Sequence, residues 1–200
     1  NKILTHWTLP FLTVFLITYL VFSNSWIVQT SKLKGFDYQL QNEEVYQDEN
    51  LIYLTLGEAS IETNGQWPWP RDKIAHLILE LRQSGAGVII LPILFSEPDR
   101  FGRDIDLITM LENNGVVIAQ TGSIQKTSDG VSRGVSMVGG NSDAANNLFT
   151  YPGMLGPIES ISNTADGVGV INTAPEVDGV VRRVPLLINI NGDLYPNIAI

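Results

Sequence analysis

The stretch from Leu51 to Phe95, LIYLTLGEASIETNGQWPWPRDKIAHLILELRQSGAGVIILPILF, decides the fold class. It opens on Leu51-Ile52-Tyr53-Leu54-Thr55-Leu56, a short apolar run closed by Gly57, and such a run predicts a buried strand. A turn follows, with Gly65 and the unit Trp67-Pro68-Trp69-Pro70. Proline forbids regular ladder pairing there and sets an extended backbone, so the two indoles are held rigidly. Asp72 then opens a helix, because Ile74, Leu77, Ile78 and Leu81 recur at helical spacing and Gly85 supplies a stop. Val88 to Phe95 (VIILPILF) is apolar and β-branched and predicts a second buried strand, in which Pro92 must sit at an edge or a bulge. Strand, helix and strand with short links form a βαβ unit.

Working outward, Ile105 to Leu111 fits a helix and Val116 to Ala119 a third strand. The pattern predicts one α/β domain whose mostly parallel or mixed sheet is covered by helices. Ser123 to Tyr151 is rich in Gly, Ser and Asn and reads as loops with one strand near Ser136 to Val138. Gly167 to Asn172 and Val180 to Ile190 read as strands flanking a turn at Glu176-Val177-Asp178-Gly179, since Asp-Gly favours tight hairpin geometry.

The N-terminus is different in kind. No Asp, Glu, Lys or Arg lies between Lys2 and Lys32, and Trp7 to Val28 is long enough to cross a hydrocarbon layer of about 30 Å at about 20 residues per span. It reads as a transmembrane helix, with Trp7, Tyr19 and Trp26 near the interfaces and Pro10 in the first turns, where a missing N–H costs little. A cleavable signal peptide needs a small-residue site, for which Ser23-Asn24-Ser25 is a poor match. A buried core helix would usually be shorter, and an interfacial or re-entrant segment is the remaining alternative. The expected plan is an anchor over residues 1–31 and an extracytoplasmic domain over 32–200, entered through a linker or short helix from Thr30 to Asn50. Asn1 is not an initiator Met and Ile200 falls inside an apolar segment after Tyr195-Pro196, so the expectation is a chain that continues.

Hydrophobic residues make up 44% and charged residues 16%, a low charge content for a soluble domain. Lys2 is the one charged residue in 1–31, so the chain's net −9 becomes −10 over residues 32–200. That balance argues against a nucleic-acid partner, and it directs the domain away from anionic lipid. Lys2 and His6 on one side of the anchor face Lys32 and Lys34 on the other, so basic residues do not set its orientation. The absence of cysteine excludes disulfides, thiolate metal sites and a cysteine nucleophile.

No catalytic constellation emerges. His6 and His76 form no pair at motif spacing, His76 reads as a surface helix residue, and neither a phosphate loop nor a Gly-x-Ser-x-Gly motif is present. Glu97, Asp99, Asp104 and Asp106 follow a predicted strand, where ligands of open α/β sheets bind; their alternatives are a divalent metal site and ordinary loop chemistry, with Asp104 as a helix cap. Trp67 and Trp69 either stack on a ligand or pack the turn onto the core. Arg71 either binds an anion or pairs with a carboxylate such as Glu97. Arg182 and Arg183, if in a strand, point to opposite faces, so one at most serves a given pocket. The ligand-site candidates are thus Trp67, Trp69, Arg71, Glu97, Asp99 and Arg182, each with a structural alternative, and no metal or cofactor is called for.

Four ordered segments carry a resemblance: Gly65-Gln66-Trp67-Pro68-Trp69-Pro70-Arg71, Leu81 to Gly87 (LRQSGAG), Phe95-Ser96-Glu97-Pro98-Asp99, and Asp178-Gly179-Val180-Val181-Arg182-Arg183-Val184-Pro185-Leu186. Over most of 33–200 the chain resembles the second class of CHASE domains, extracellular sensory domains of bacterial receptors. The resemblance implies an inner-membrane anchor, a domain outside the cytoplasm, further membrane helices and a cytoplasmic effector, typically an adenylate or guanylate cyclase, a histidine kinase or a Ser/Thr kinase. It also implies a small-molecule or periplasmic ligand and a homodimer formed through the receptor. Relatives commonly carry acids near Gly57 and Glu58, at Pro92, and before Asp178 where this chain has Glu176. Two other classes of function stand beside it: a membrane-tethered metal-dependent enzyme, and a dimerising spacer that senses nothing.

Overall fold

The computed structural model describes residues 2–23, 25–44, 48–125, 131 and 148–200. The chain divides into two compact units, one comprising the residues up to Leu54 together with Pro175–Arg182, the other Thr55–Ala174 with Arg183–Ile200.

The first unit contains α1 (Lys2–Phe22) and α2 (Trp26–Gln41). From Thr8 to Phe22 every residue is exposed, Phe11 and Phe15 each to 71%. The single apolar helix expected through Val28 is instead broken: Ser23 Oγ donates to Leu20 O at 2.9 Å, and Ser25 adopts an extended N-cap geometry ahead of α2. Serine's short side chain competes with the helical ladder in this way. Among the described residues no single helix is long and apolar enough to cross a membrane, whereas Thr8–Phe22 and Trp26–Gln41, bent by 77° at their break, meet that test together. Pro10 falls inside α1 rather than in its first turns. The stretch read as a linker or short helix from Thr30 is helical as far as Gln41.

The second unit carries the sheets. Helices α3 (Glu58–Asn64) and α4 (Arg71–Gln83) precede β1 (Ile89–Leu94), α5 (Asp104–Leu111) and β2 (Val116–Ser123). After them come β3 (Thr150–Tyr151), β4 (Gly153–Leu155), α6 (Glu159–Ser162), β5 (Gly167–Val170), β6 (Leu187–Ile190) and β7 (Asp193–Pro196). β2 pairs in parallel with both β1 and β5, and its end pairs antiparallel with β4. A second sheet runs β3-β6-β7, the first pair parallel and the second antiparallel. The fold is therefore mixed α/β, with two sheets among the described residues where one was expected.

Helix α4 turns Ile74, Ala75 and Ile78 inward and stops at Gly85, whose φ of +95° suits glycine, with Ala86 N–H donating to Leu81 O. Phe95 joins Ile74, Ile78, Leu107, Leu111 and Ile118 in the main core, while Met154, Val170, Ile188, Ile190 and Tyr195 form a second cluster. Pro92 is exposed on edge strand β1, where the register shifts between Leu91 and Leu94, as a proline without an N–H demands. At Gly169 a Cβ would stand 2.3 Å from Ile198 Cα, so this glycine lets the C-terminal segment lie against β5.

Three expectations need correction. Leu51 to Leu56 is not a buried strand: it is unpaired, with Ile52 84% and Tyr53 88% exposed. An apolar run signals a tendency to be buried but does not supply the neighbouring strand that a ladder needs. The strand read from Val180 is confined to Leu187–Ile190, so Arg182 and Arg183 lie outside it. Asp178-Gly179 does form a tight turn, Gly179 (φ +82°) donating to Glu176 O, but its flanks are not paired strands. The strand read near Ser136 to Val138 lies outside the described residues.

Candidate functional site

Five of the six candidate residues meet in the second unit. Pro68 and Pro70 fix the chain ahead of α4, and the Trp67–Pro68 peptide is cis. Trp69 is buried and its Nε1 donates to Gly65 O at 2.7 Å, closing the turn on itself. Trp67 stays 37% exposed and packs edge-on against Trp69 with ring centroids 5.8 Å apart. The first residue of α4, Arg71, lies with its guanidinium 4.5 Å from the centroid of the Phe95 ring.

Arg71 is directed at two oxygens. Its Nε faces Asp104 Oδ1 at 3.4 Å and its Nη2 donates to the Glu97 carbonyl at 3.2 Å, with the side chain only 12% exposed. The carboxylate partner is Asp104 and not Glu97, whose contribution is its backbone oxygen. Asp104 is the first residue of α5 and does not cap it; its Oδ2 accepts Asp99 N–H at 2.9 Å, while Asp99 Oδ2 accepts Arg103 N–H at 3.0 Å. Arg100 closes the circle by donating to Pro68 O at 3.1 Å. Among the described residues no group of three His, Cys, Asp or Glu side chains is placed to hold a metal ion. The acids after β1 knit the loop to the Trp-Pro turn. His76 lies on the outer face of α4, exposed and facing Glu80 at 3.6 Å.

Between the turn and β1 lies a cavity of about 340 Å³, walled by Trp67, Pro68, Trp69, Arg71 and Ile74 on one side and Pro92, Ile93, Leu94 and Ile171 on the other. Its position beside β1 was not legible in the sequence, which marked the indoles but not the strand residues opposite them. Phe95 was missed as Arg71's platform for the same reason: in an apolar run no one residue stands out.

Arg182, the sixth candidate, belongs to the first unit. Its side chain is 5% exposed, and it grips two carboxylates: Asp37 of α2, with Nε–Oδ1 2.6 Å and Nη2–Oδ2 2.7 Å, and Asp178 of its own turn, with Nη1–Oδ1 2.8 Å and Nη2–Oδ2 2.7 Å. Hydrogen bonds from Arg182 hold the Asp178 carboxyl down at about 2 and the Asp37 carboxyl below the usual carboxylate range. The carboxylates, Asp37 first, raise Arg182 in return. This guanidinium is a fastener for the segment Pro175–Arg182, not a free anion receptor. Asp37 carries no local motif; only its spacing from Arg182 in the fold reveals it.

No curated protein and no solved structure matches the chain. A family model described as the CHASE2 domain matches residues 12–200.

Proposed function

The chain belongs to the CHASE2 domain family, extracellular sensory domains of signalling receptors, and from that premise we propose that it is the extracytoplasmic, membrane-tethered sensing portion of a bacterial receptor. The observation that carries the reading is the match over residues 12–200, which takes in most of the apolar N-terminal segment together with the α/β domain. The bent helix pair, apolar in its first member, supports tethering in the inner membrane, and the net −10 after residue 31 supports a domain directed away from anionic lipid. The output is a cytoplasmic cyclase or kinase, the receptor is a homodimer, and the ligand site is the cavity beside Trp67 and Trp69. Ligand acts by binding two arrangements of the domain unequally.

Translating the reading frame beyond Ile200 tests this directly. Further apolar spans followed by a cyclase or kinase domain are the expected finding; a stop codon soon after Ile200 overturns the receptor reading.

A further inference from the structure

We propose that the cavity between the Trp-Pro turn and β1 takes an uncharged, planar, apolar molecule of one or two rings, and not an anion; this rests on the reading of that cavity as the sensor's ligand site. Size sets the first limit. At about 340 Å³, the space is about twice the ~150 Å³ apolar cavity that takes up benzene. The walls set the second. Trp67, Trp69, Pro92, Ile93 and Leu94 offer rings and aliphatic surface, and a flat apolar guest gains from both stacking and desolvation.

Charge sets the third limit and excludes the obvious alternative. Arg71 is the one ionised side chain on the wall, and its Nε and Nη2 are already directed at Asp104 and the Glu97 carbonyl, over the Phe95 ring. An incoming carboxylate or phosphate competes with Asp104 for Arg71 and stands beside that like-charged carboxylate. The Trp69 N–H is taken by Gly65 O, and Pro68 O by Arg100. An anion entering here gives up far more hydration than a neutral ring does, which is costly.

The test uses the full chain in uncharged detergent micelles, with benzyl alcohol and benzoate as matched probes read by ligand-observed NMR. The expected result is saturable binding of benzyl alcohol and binding of benzoate weaker by about tenfold or more, the factor set by about 1.4 kcal/mol of unreplaced hydration. Ile93→Trp, which fills the cavity, abolishes binding. Trp67→Ala, at an exposed indole, weakens it even where the filled variant does not fold. Benzoate binding as tightly as the alcohol, undiminished binding in either folded variant, or no saturable binding of the alcohol overturns the inference. None of these outcomes touches the receptor reading, which the frame beyond Ile200 decides separately.

Discussion

The contact between Arg71 and Phe95 lets the site's rigidity be measured as a free energy. Phe95 is fully buried in the main core, and its ring supports the Arg71 guanidinium at 4.5 Å. Truncation to alanine removes that platform and opens a cavity, at a cost of about 3–5 kcal/mol, a large part of the roughly 5–15 kcal/mol that holds a domain folded. A milder pair isolates the contact: Phe95→Leu keeps most of the apolar volume, and Arg71→Gln removes the cation. A guanidinium held over a ring contributes about 0.5–1 kcal/mol when exposed and about 2 kcal/mol when desolvated. With the Arg71 side chain 12% exposed, the coupling belongs toward the upper half, at about 1–2 kcal/mol. Urea titration of the full chain in micelles, followed by tryptophan fluorescence, gives the four stabilities of the double-mutant cycle. Arg71→Gln combined with Ile188→Val in the second cluster is the control and should be additive within about 0.5 kcal/mol. A coupling between Arg71 and Phe95 no larger than that control would refute the claim that the core ring positions the arginine.

Other consequences are simpler to read. Gly169→Ala pushes a Cβ to 2.3 Å from Ile198 Cα, a collision with backbone, and should lower stability by about 1–3 kcal/mol in a thermal melt. Asn172 accepts from Gly122 N–H at 2.6 Å and from Thr121 Oγ1 at 3.0 Å and donates to Gly122 O at 3.1 Å; Asn172→Ala should cost about 1–3 kcal/mol by the same melt, whereas a shift within about 0.5 kcal/mol would show these bonds to be replaceable by water. Asp37 and Asp178 have lowered folded-state pKa values, so their contribution is complete above the ordinary 3.8 and is lost as pH falls toward about 2. NMR of the Arg182 side-chain N–H protons should show protection vanishing across that window, and a variant with Asp37→Asn and Asp178→Asn should lack the step.

Sequence period carried the α/β part of the fold well because α4, β1 and α5 each bury one apolar face locally encoded at helical or strand spacing, and β2 begins as a continuous apolar run buried on both faces. Even the awkward Pro92, expected at an edge or a bulge from its missing N–H alone, lies on an edge strand beside a register shift. The failures share a cause: pairing is non-local. Leu51 to Leu56 has the composition of a strand and no ladder, and Val180 to Leu186 interrupts its apolar residues with Arg182, Arg183 and Pro185 and is held at Arg182 by charge. The candidate site divides along the same line. Trp67, Trp69 and Arg71 are conspicuous residue types in a rigid turn, and they do converge; which carboxylate answers Arg71, or that Asp37 answers Arg182 across 145 positions of sequence, is fixed only by how the elements come together.

Connectivity ties the cavity to the fastener. Ile171, in the cavity wall, directly follows β5, and Asn172 is pinned to Thr121 and Gly122 at the end of β2. Pro175 then begins the segment that Arg182 anchors to Asp37 on α2, the helix that follows the apolar α1. A displacement at Ile171 therefore has a short covalent route, through Asn172 to Ala174, to a segment held by four charge-assisted hydrogen bonds. Such a cluster is weak evidence of stability but a good means of fixing one register. A ligand in the cavity moves it only if the arrangements it selects differ at Ile171, so the informative comparison is Arg182 N–H protection with and without a bound probe, in wild type and in Asn172→Ala. Protection that changes in the first and not in the second places the coupling in the pinned strand end; equal changes in both place it elsewhere.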